Sequence, residues 1–189
     1  KRDPQAIATA RRELSEATRV HAAIAFFFEH QWQRLRRAAE ERGITILGDL
    51  PLYVARHTAD VWAPQELFES DDNGLPSRVA AVPPDAYSDT GQLWGNPLYR
   101  WDRLAETGYA WWIERIERNL AWTPALRIDH FRGFAAYYAV NADAPDARAG
   151  AWIEGPGLAL FSAIDEALGE RGLLAEDLGD IDERVHTLR

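Results

Sequence analysis

The chain has 189 residues, 47% hydrophobic and 27% charged, the balance of a globular fold rather than of a disordered one. A formal net charge of −9 excludes a nucleic-acid or anionic-membrane surface, since both select for basic patches. No apolar run approaches the ~18 residues of a membrane span, and the absence of cysteine excludes disulfides and thiol chemistry.

Taken in chain order, the first helical pattern runs from about Arg12 to Arg42. Ile24, Phe28, Trp32, Leu35 and Ala39 fall at helical spacing, and Gly43 acts as a stop. A strand-like run then leads from Ile44 to Asp49, closed by Pro51. Residues 51–100 read as one long connection rich in Pro, Gly, Asp and aromatics, which is functional rather than disordered. A second helix fits Trp101 to Asn119, with Trp112, Ile113, Ile116 and Leu120 inward. A second strand ends at Asp129, and residues 130–156 form another excursion. A third helix spans Leu158 to Leu168, a third strand ends at Glu176, and Asp182 opens a last helix.

The order αβαβαβα calls for a parallel sheet with helical crossovers. The predicted fold is α/β, a segment of a (β/α)8 barrel with about three parallel strands and long loops at their carboxyl ends. A doubly wound sheet would be the other solution, but no G-x-G-x-x-G or Walker sequence follows a strand. The expectation is a single partial catalytic barrel domain over 1–189, with an active-site loop insertion at about 51–100 and no second domain. A complete barrel takes at least about 200 residues, so the chain reads as an internal piece.

All three strands end in a carboxylate: Asp49, Asp129 and Glu176. In parallel α/β folds chemistry gathers at the carboxyl ends of strands, and paired carboxylates are the working parts of glycoside chemistry. Arg127 and Asp129 share a strand face, because side chains alternate. A guanidinium there favours an ionised acid, the state that a nucleophile needs. The same pair also reads as a structural ion pair ordering a strand end. If Asp129 and Glu176 end neighbouring strands about 4.8 Å apart, their separation suits a retaining glycosidase, with Glu176 as general acid.

The loop Val82–Tyr99 offers Tyr87, Trp94 and Tyr99 as flat apolar surfaces with polar edges, and Asp85, Gln92 and Asn96 as hydrogen-bonding partners for hydroxyls. Packing of these aromatics back onto the domain is the alternative. The five histidines lack zinc-site spacing. A hard-metal site of Asp49, Asp129 and Glu176 is opposed by the charge of Arg127, so no metal and no cofactor are expected.

Together, Gly48-Asp49-Leu50-Pro51-Leu52-Tyr53-Val54-Ala55, Ala59-Asp60-Val61-Trp62, the Pro83–Trp101 loop, Arg127–Phe134, Gly155-Pro156-Gly157 and Ala175–Gly179 resemble the amylomaltases, or 4-α-glucanotransferases, relatives of the α-amylase superfamily. The resemblance implies Asp129 as nucleophile, Arg127 as its charged partner, Glu176 as acid/base, and Gln92 and Trp94 along sugar subsites. It places Asp49 and His130 near the site. It also implies α-1,4-glucans and maltooligosaccharides as partners; the net charge and apolar pattern argue against nucleic acid and membrane, and a cysteine-free chain is compatible with the cytoplasm, the setting expected. A third carboxylate of the family falls beyond Arg189, so the chain alone is expected to be inactive. His57, Ala86-Tyr87 and Tyr138 depart from the commonest family pattern, which bears on substrate preference. An α-amylase-like retaining hydrolase and an inactive glucan-binding fragment are the competing readings.

Overall fold

The computed structural model describes residues 3–189, which divide into two compact units, one up to Ile46 and one from Leu47 onward. The first is helical. Asp3 caps α1 (Pro4–Glu13) by accepting from the Ala6 N–H at 2.8 Å, and Pro4 supplies a preset φ at the helix start. The helix α2 (Ser15–Glu40) follows at once. The single helix expected over 12–42 is thus two. Leu14 leaves helical geometry at ψ 13°, although helical hydrogen bonds to Ala10 and from Thr18 bracket it, and no Gly or Pro marks the break. Gly43, at φ 68°, ends α2 in the left-handed region that glycine adopts without penalty.

The second unit holds two sheets. The parallel one has β1 (Leu47–Pro51), β4 (Ala125–Asp129) and β7 (Gly172–Ala175), in the order β1-β4-β7. Strands consecutive along the parallel sheet and separated by helices are the arrangement of a β/α barrel segment. The other sheet is antiparallel, with β2 (Arg78–Val82), β3 (Gln92–Pro97), β5 (Ala136–Asn141) and β6 (Ala151–Glu154) in the order β3-β2-β5-β6. Residues 51–100 and 130–156 are therefore not two separate loops. Each contributes a pair of strands, and β2 pairs with β5 to make them one body.

The helices of this unit are α3 (Ala59–Trp62), α4 (Trp101–Glu106), α5 (Ala110–Leu120), α6 (Leu158–Leu168) and α7 (Glu183–Leu188). The helix expected over 101–119 breaks between α4 and α5, where Gly108 and Tyr109 take positive φ in succession. Burial follows the strand period: Leu126 and Ile128 are buried, while Arg127 and Asp129 are only partly so. That apolar face packs with Trp112 and Ile116 of α5, Leu160 and Ile164 of α6, and Leu50 and Leu52. The opposite face of the parallel sheet carries the charges.

Candidate active site

Register brings the acids together. Asp49 on β1 is the direct cross-strand partner of Arg127, and Ile128 pairs with Ala175 at the end of β7. The Glu176 N–H continues that ladder by donating to the Ile128 carbonyl at 3.1 Å. Asp129 and Glu176 therefore leave neighbouring strands at the same level.

Arg127 stands among three carboxylates. Its Nε donates to Asp49 Oδ1 at 2.8 Å, its Nη1 to Glu176 Oε1 at 2.7 Å, and its Nη2 to Asp129 Oδ1 at 2.9 Å. One planar fork thus fixes all three acids, a use to which lysine's single ammonium is not suited. These hydrogen bonds hold the guanidinium protonated well above its ordinary range. Its central place also opposes a cation there.

Glu176 is the most enclosed of the three acids, with 14% of its side chain exposed. Its second oxygen, Oε2, accepts from the His130 backbone N–H at 2.7 Å. That N–H is aimed by a left-handed residue: His130 has φ 54° and ψ 43° as it leaves β4 for the 3-10 turn Phe131–Phe134. The turn is tight. A Cβ on Gly133 would collide with the Leu52 side chain and come within 2.9 Å of the His130 ring, so glycine is required by close approach.

Asp129 departs from expectation in its electrostatics. Burial pushes its carboxyl upward, and the charge of Glu176 adds to that; Arg127 pulls the other way without reversing the direction. The guanidinium next door does not hold this acid below the ordinary carboxylate range. No hydrogen bond among the described residues engages Oδ2, so one oxygen is anchored and the other is free to react.

Around His130 lies an aromatic layer. The Trp94 ring meets the imidazole edge-on at 4.8 Å between centroids, and Tyr53 contacts both His130 and Trp94. Burial, with the nearby charge of Arg132, lowers the imidazole to about 4, which keeps His130 neutral above that pH. Its Nε2 and the Tyr53 hydroxyl are both buried without a hydrogen-bond partner among the described residues. Trp94 is 38% exposed and donates from its indole to Gln92 Oε1 at 3.0 Å.

The loop residues differ in what they do. Asn96 spends its amide on the Val54 carbonyl at 3.0 Å, tying β3 to the segment after β1. Asp85 accepts from the N–H groups of Tyr87 and Ser88, closing its own turn. Tyr87 stands 99% exposed at that turn, with no ring contact among the described residues. The structure brings Asp49, Arg127, Asp129, Glu176, His130, Trp94 and Gln92 into one connected set. It does not bring Asp85, Tyr87 or the Asn96 amide into contact with the charge cluster.

Two residues of this region were not singled out from sequence. Tyr53 follows Asp49 and Pro51 at alternate positions, while Leu50, Leu52 and Val54 between them are buried, so strand alternation was the available signal. Arg132 is buried to 3% exposure with its guanidinium 3.8 Å from the Trp152 ring centroid. A lone charge inside Phe131-Arg132-Gly133-Phe134 was the hint.

Comparison with known proteins points one way. All of residues 1–189 match the family described as 4-alpha-glucanotransferase. A 4-alpha-glucanotransferase of Thermus thermophilus is 48% identical over the whole chain, which spans 38% of that relative. One of Oryza sativa, described as chloroplastic/amyloplastic, is 49% identical over 87% of the chain, which corresponds to 28% of the relative. The structure of an amylomaltase from Streptococcus agalactiae in complex with acarbose matches with a TM-score of 0.96 and 43% identity. It covers 99% of this chain and 38% of that one. The chain thus spans well under half the length of the relatives it matches, and it belongs to the 4-alpha-glucanotransferase family.

Proposed function

We propose that the protein carrying this chain transfers α-1,4-glucan segments between maltooligosaccharides or starch- and glycogen-derived chains, by a retaining double displacement. The observation that carries this reading is the single guanidinium that holds Asp129 and Glu176 on adjacent strand ends. Two carboxyl groups so close suit the shorter spacing, about 5–5.5 Å, at which one acid attacks and the other transfers protons.

In the first step Asp129 Oδ2 bonds to the anomeric carbon as the glycosidic C–O bond breaks, and protonated Glu176 gives its proton to the leaving oxygen. The product is a covalent glycosyl-Asp129 with Glu176 now ionised. In the second step Glu176 takes the proton from the 4-hydroxyl of an incoming glucan, whose oxygen displaces Asp129 from the same carbon. Arg127 stabilises the carboxylate released in this step. His130, neutral through the working range, offers hydrogen bonds without adding a charge, and Trp94 covers a sugar face. No cofactor is needed for this sequence.

Acceptance of sugar in place of water depends on how well the acceptor side excludes solvent, the role assigned to Trp94 and Tyr87, with Gln92 as the loop's polar group beside Trp94. Asp49 orients Arg127. We place the protein in the cytoplasm, in keeping with a cysteine-free chain; no described helix is long and apolar enough to cross a membrane. The test is incubation of the full-length protein with maltotriose. Transfer spreads the chain lengths while reducing ends stay constant. Rising reducing ends with free glucose would instead identify a hydrolase.

A further inference from the structure

One peptide unit stands between the two acids of the reaction. The carbonyl of Asp129 and the N–H of His130 belong to the same planar group, so a shift at one end moves the other. The N–H donates to Glu176 Oε2 at 2.7 Å, and the carbonyl accepts from the Leu52 N–H at 3.2 Å. Leu52 therefore grips, from beyond β1, the peptide that sets Asp129 and Glu176 against each other. Its side chain, 1% exposed, also fills the space that a Cβ on Gly133 would need in the turn after His130.

Leu52 is itself held from behind. The Tyr99 hydroxyl donates to the Leu52 carbonyl at 2.8 Å inside the core. Arg115 Nη1 lies 3.3 Å from the same carbonyl and 3.4 Å from the Tyr99 oxygen. Burial raises the phenol above its ordinary range, so the hydroxyl keeps its proton and donates. Two indoles steady Arg115, its guanidinium 5.3 Å from the Trp111 ring centroid and 4.9 Å from that of Trp112. The Tyr99 ring has contacts of its own, stacked on Tyr53 at 6.3 Å and packed against Phe68 and Trp101. What the hydroxyl does is thus separable from what the ring does.

We infer that Tyr99, with Arg115 behind it, is a positioning residue for the glycosyl transfer: it fixes the Leu52 backbone, and through it the Asp129–His130 peptide that aligns nucleophile and acid/base. It touches no reacting atom. The inference rests on the functional reading above, in that Asp129 and Glu176 are the reacting acids, and extends the working site to a hydroxyl in the core. Removing that hydroxyl leaves the aromatic surface in place and loosens the alignment of the acids. The loss falls on kcat and not on sugar binding, because misplacement by about 1 Å costs up to roughly 10²-fold in rate.

The experiment is Tyr99→Phe in the full-length protein, with kcat and KM for maltotriose redistribution measured alongside Tm. With Arg115 still at the Leu52 carbonyl, kcat should fall about tenfold and KM stay within about twofold. Adding Arg115→Met should bring kcat to about a hundredth of the unmodified value at the same KM. An unchanged kcat, or a loss carried in KM, overturns the proposal. If Tyr99→Phe lowers Tm to the assay temperature, Arg115→Met alone replaces it. A smaller loss confined to kcat is then expected, most of it recovered in Arg115→Lys, which keeps a donor; equal loss in the Lys and Met variants overturns the proposal. Should the unmodified protein hydrolyse maltotriose instead, the same kcat-only loss in reducing-end release upholds the positioning role and removes the transferase reading. A full-length protein that does neither removes both.

Discussion

The charge cluster and the aromatic layer meet at His130 but are built by different means. The first comes from strand register: Asp49 and Arg127 pair in the middle of β1 and β4, Asp129 ends β4, Glu176 follows β7, and one guanidinium joins them. The second is assembled from distant pieces, with Tyr53 beyond β1, Trp94 on antiparallel β3 and the His130 ring after β4. The cluster is tied together by charge-assisted hydrogen bonds from one guanidinium. The layer retains polar atoms without partners among the described residues and a partly exposed Trp ring. Fixed charges suit bond making and breaking, where small misplacement is costly. An adaptable aromatic surface suits rings whose number and position vary.

If this division is right, substitutions in the cluster act on kcat and those in the layer on KM. The largest effect is expected from Asp129→Asn, which removes the nucleophile and should lower kcat by about 10³-fold or more in the full-length protein. Glu176→Gln should cost on the order of 10²–10⁴-fold, and less with donors whose leaving group needs no proton. A loss expressed mainly in KM would blur the contrast.

Arg127 sharpens it through pH. The nucleophile must be ionised, so activity falls as pH drops through the Asp129 pKa. Burial and Glu176 raise that pKa while Arg127 lowers it. Arg127→Met should therefore move the acid limb of the kcat/KM profile to higher pH. An unshifted limb in Arg127→Met would mean that Asp129 does not set it.

The smaller effects belong to the aromatic side. Trp94→Ala should raise KM for sugar acceptors several-fold with little change in Tm, since the ring is partly exposed. Tyr87→Ala should do less, because that ring touches no other. A sharp fall in Tm for Trp94→Ala would mean that the loop packs for stability.

What the sequence revealed divides along the same line. Alternation places Arg127 and Asp129 on one face, and the apolar runs before Asp129 and Glu176 mark two strand ends, whereas β1 runs past Asp49 to Pro51 and leaves that acid in mid-strand. The centre of the cluster is less legible, because the Asp49–Arg127 contact depends on the register of β1 with β4, which neither strand specifies alone. The antiparallel sheet was hidden for a related reason. Val79-Ala80-Ala81 and Ala136–Val140 are short runs amid prolines and glycines, and they become strands by pairing across the intervening α5 and β4. The sign of Arg127's effect on Asp129 is as the pattern implies, whereas the net rise comes first from burial, which local pattern does not show.

The central claim is that Asp129 forms a bond to sugar while Glu176 moves protons. The most direct measurement is mass spectrometry of the full-length protein carrying Glu176→Gln after incubation with α-maltosyl fluoride. Fluoride departs without a general acid, and the second step is slow without a base, so a maltosyl adduct should accumulate on the peptide containing Asp129. No adduct under conditions that consume the fluoride, or an adduct on another residue, would contradict the account.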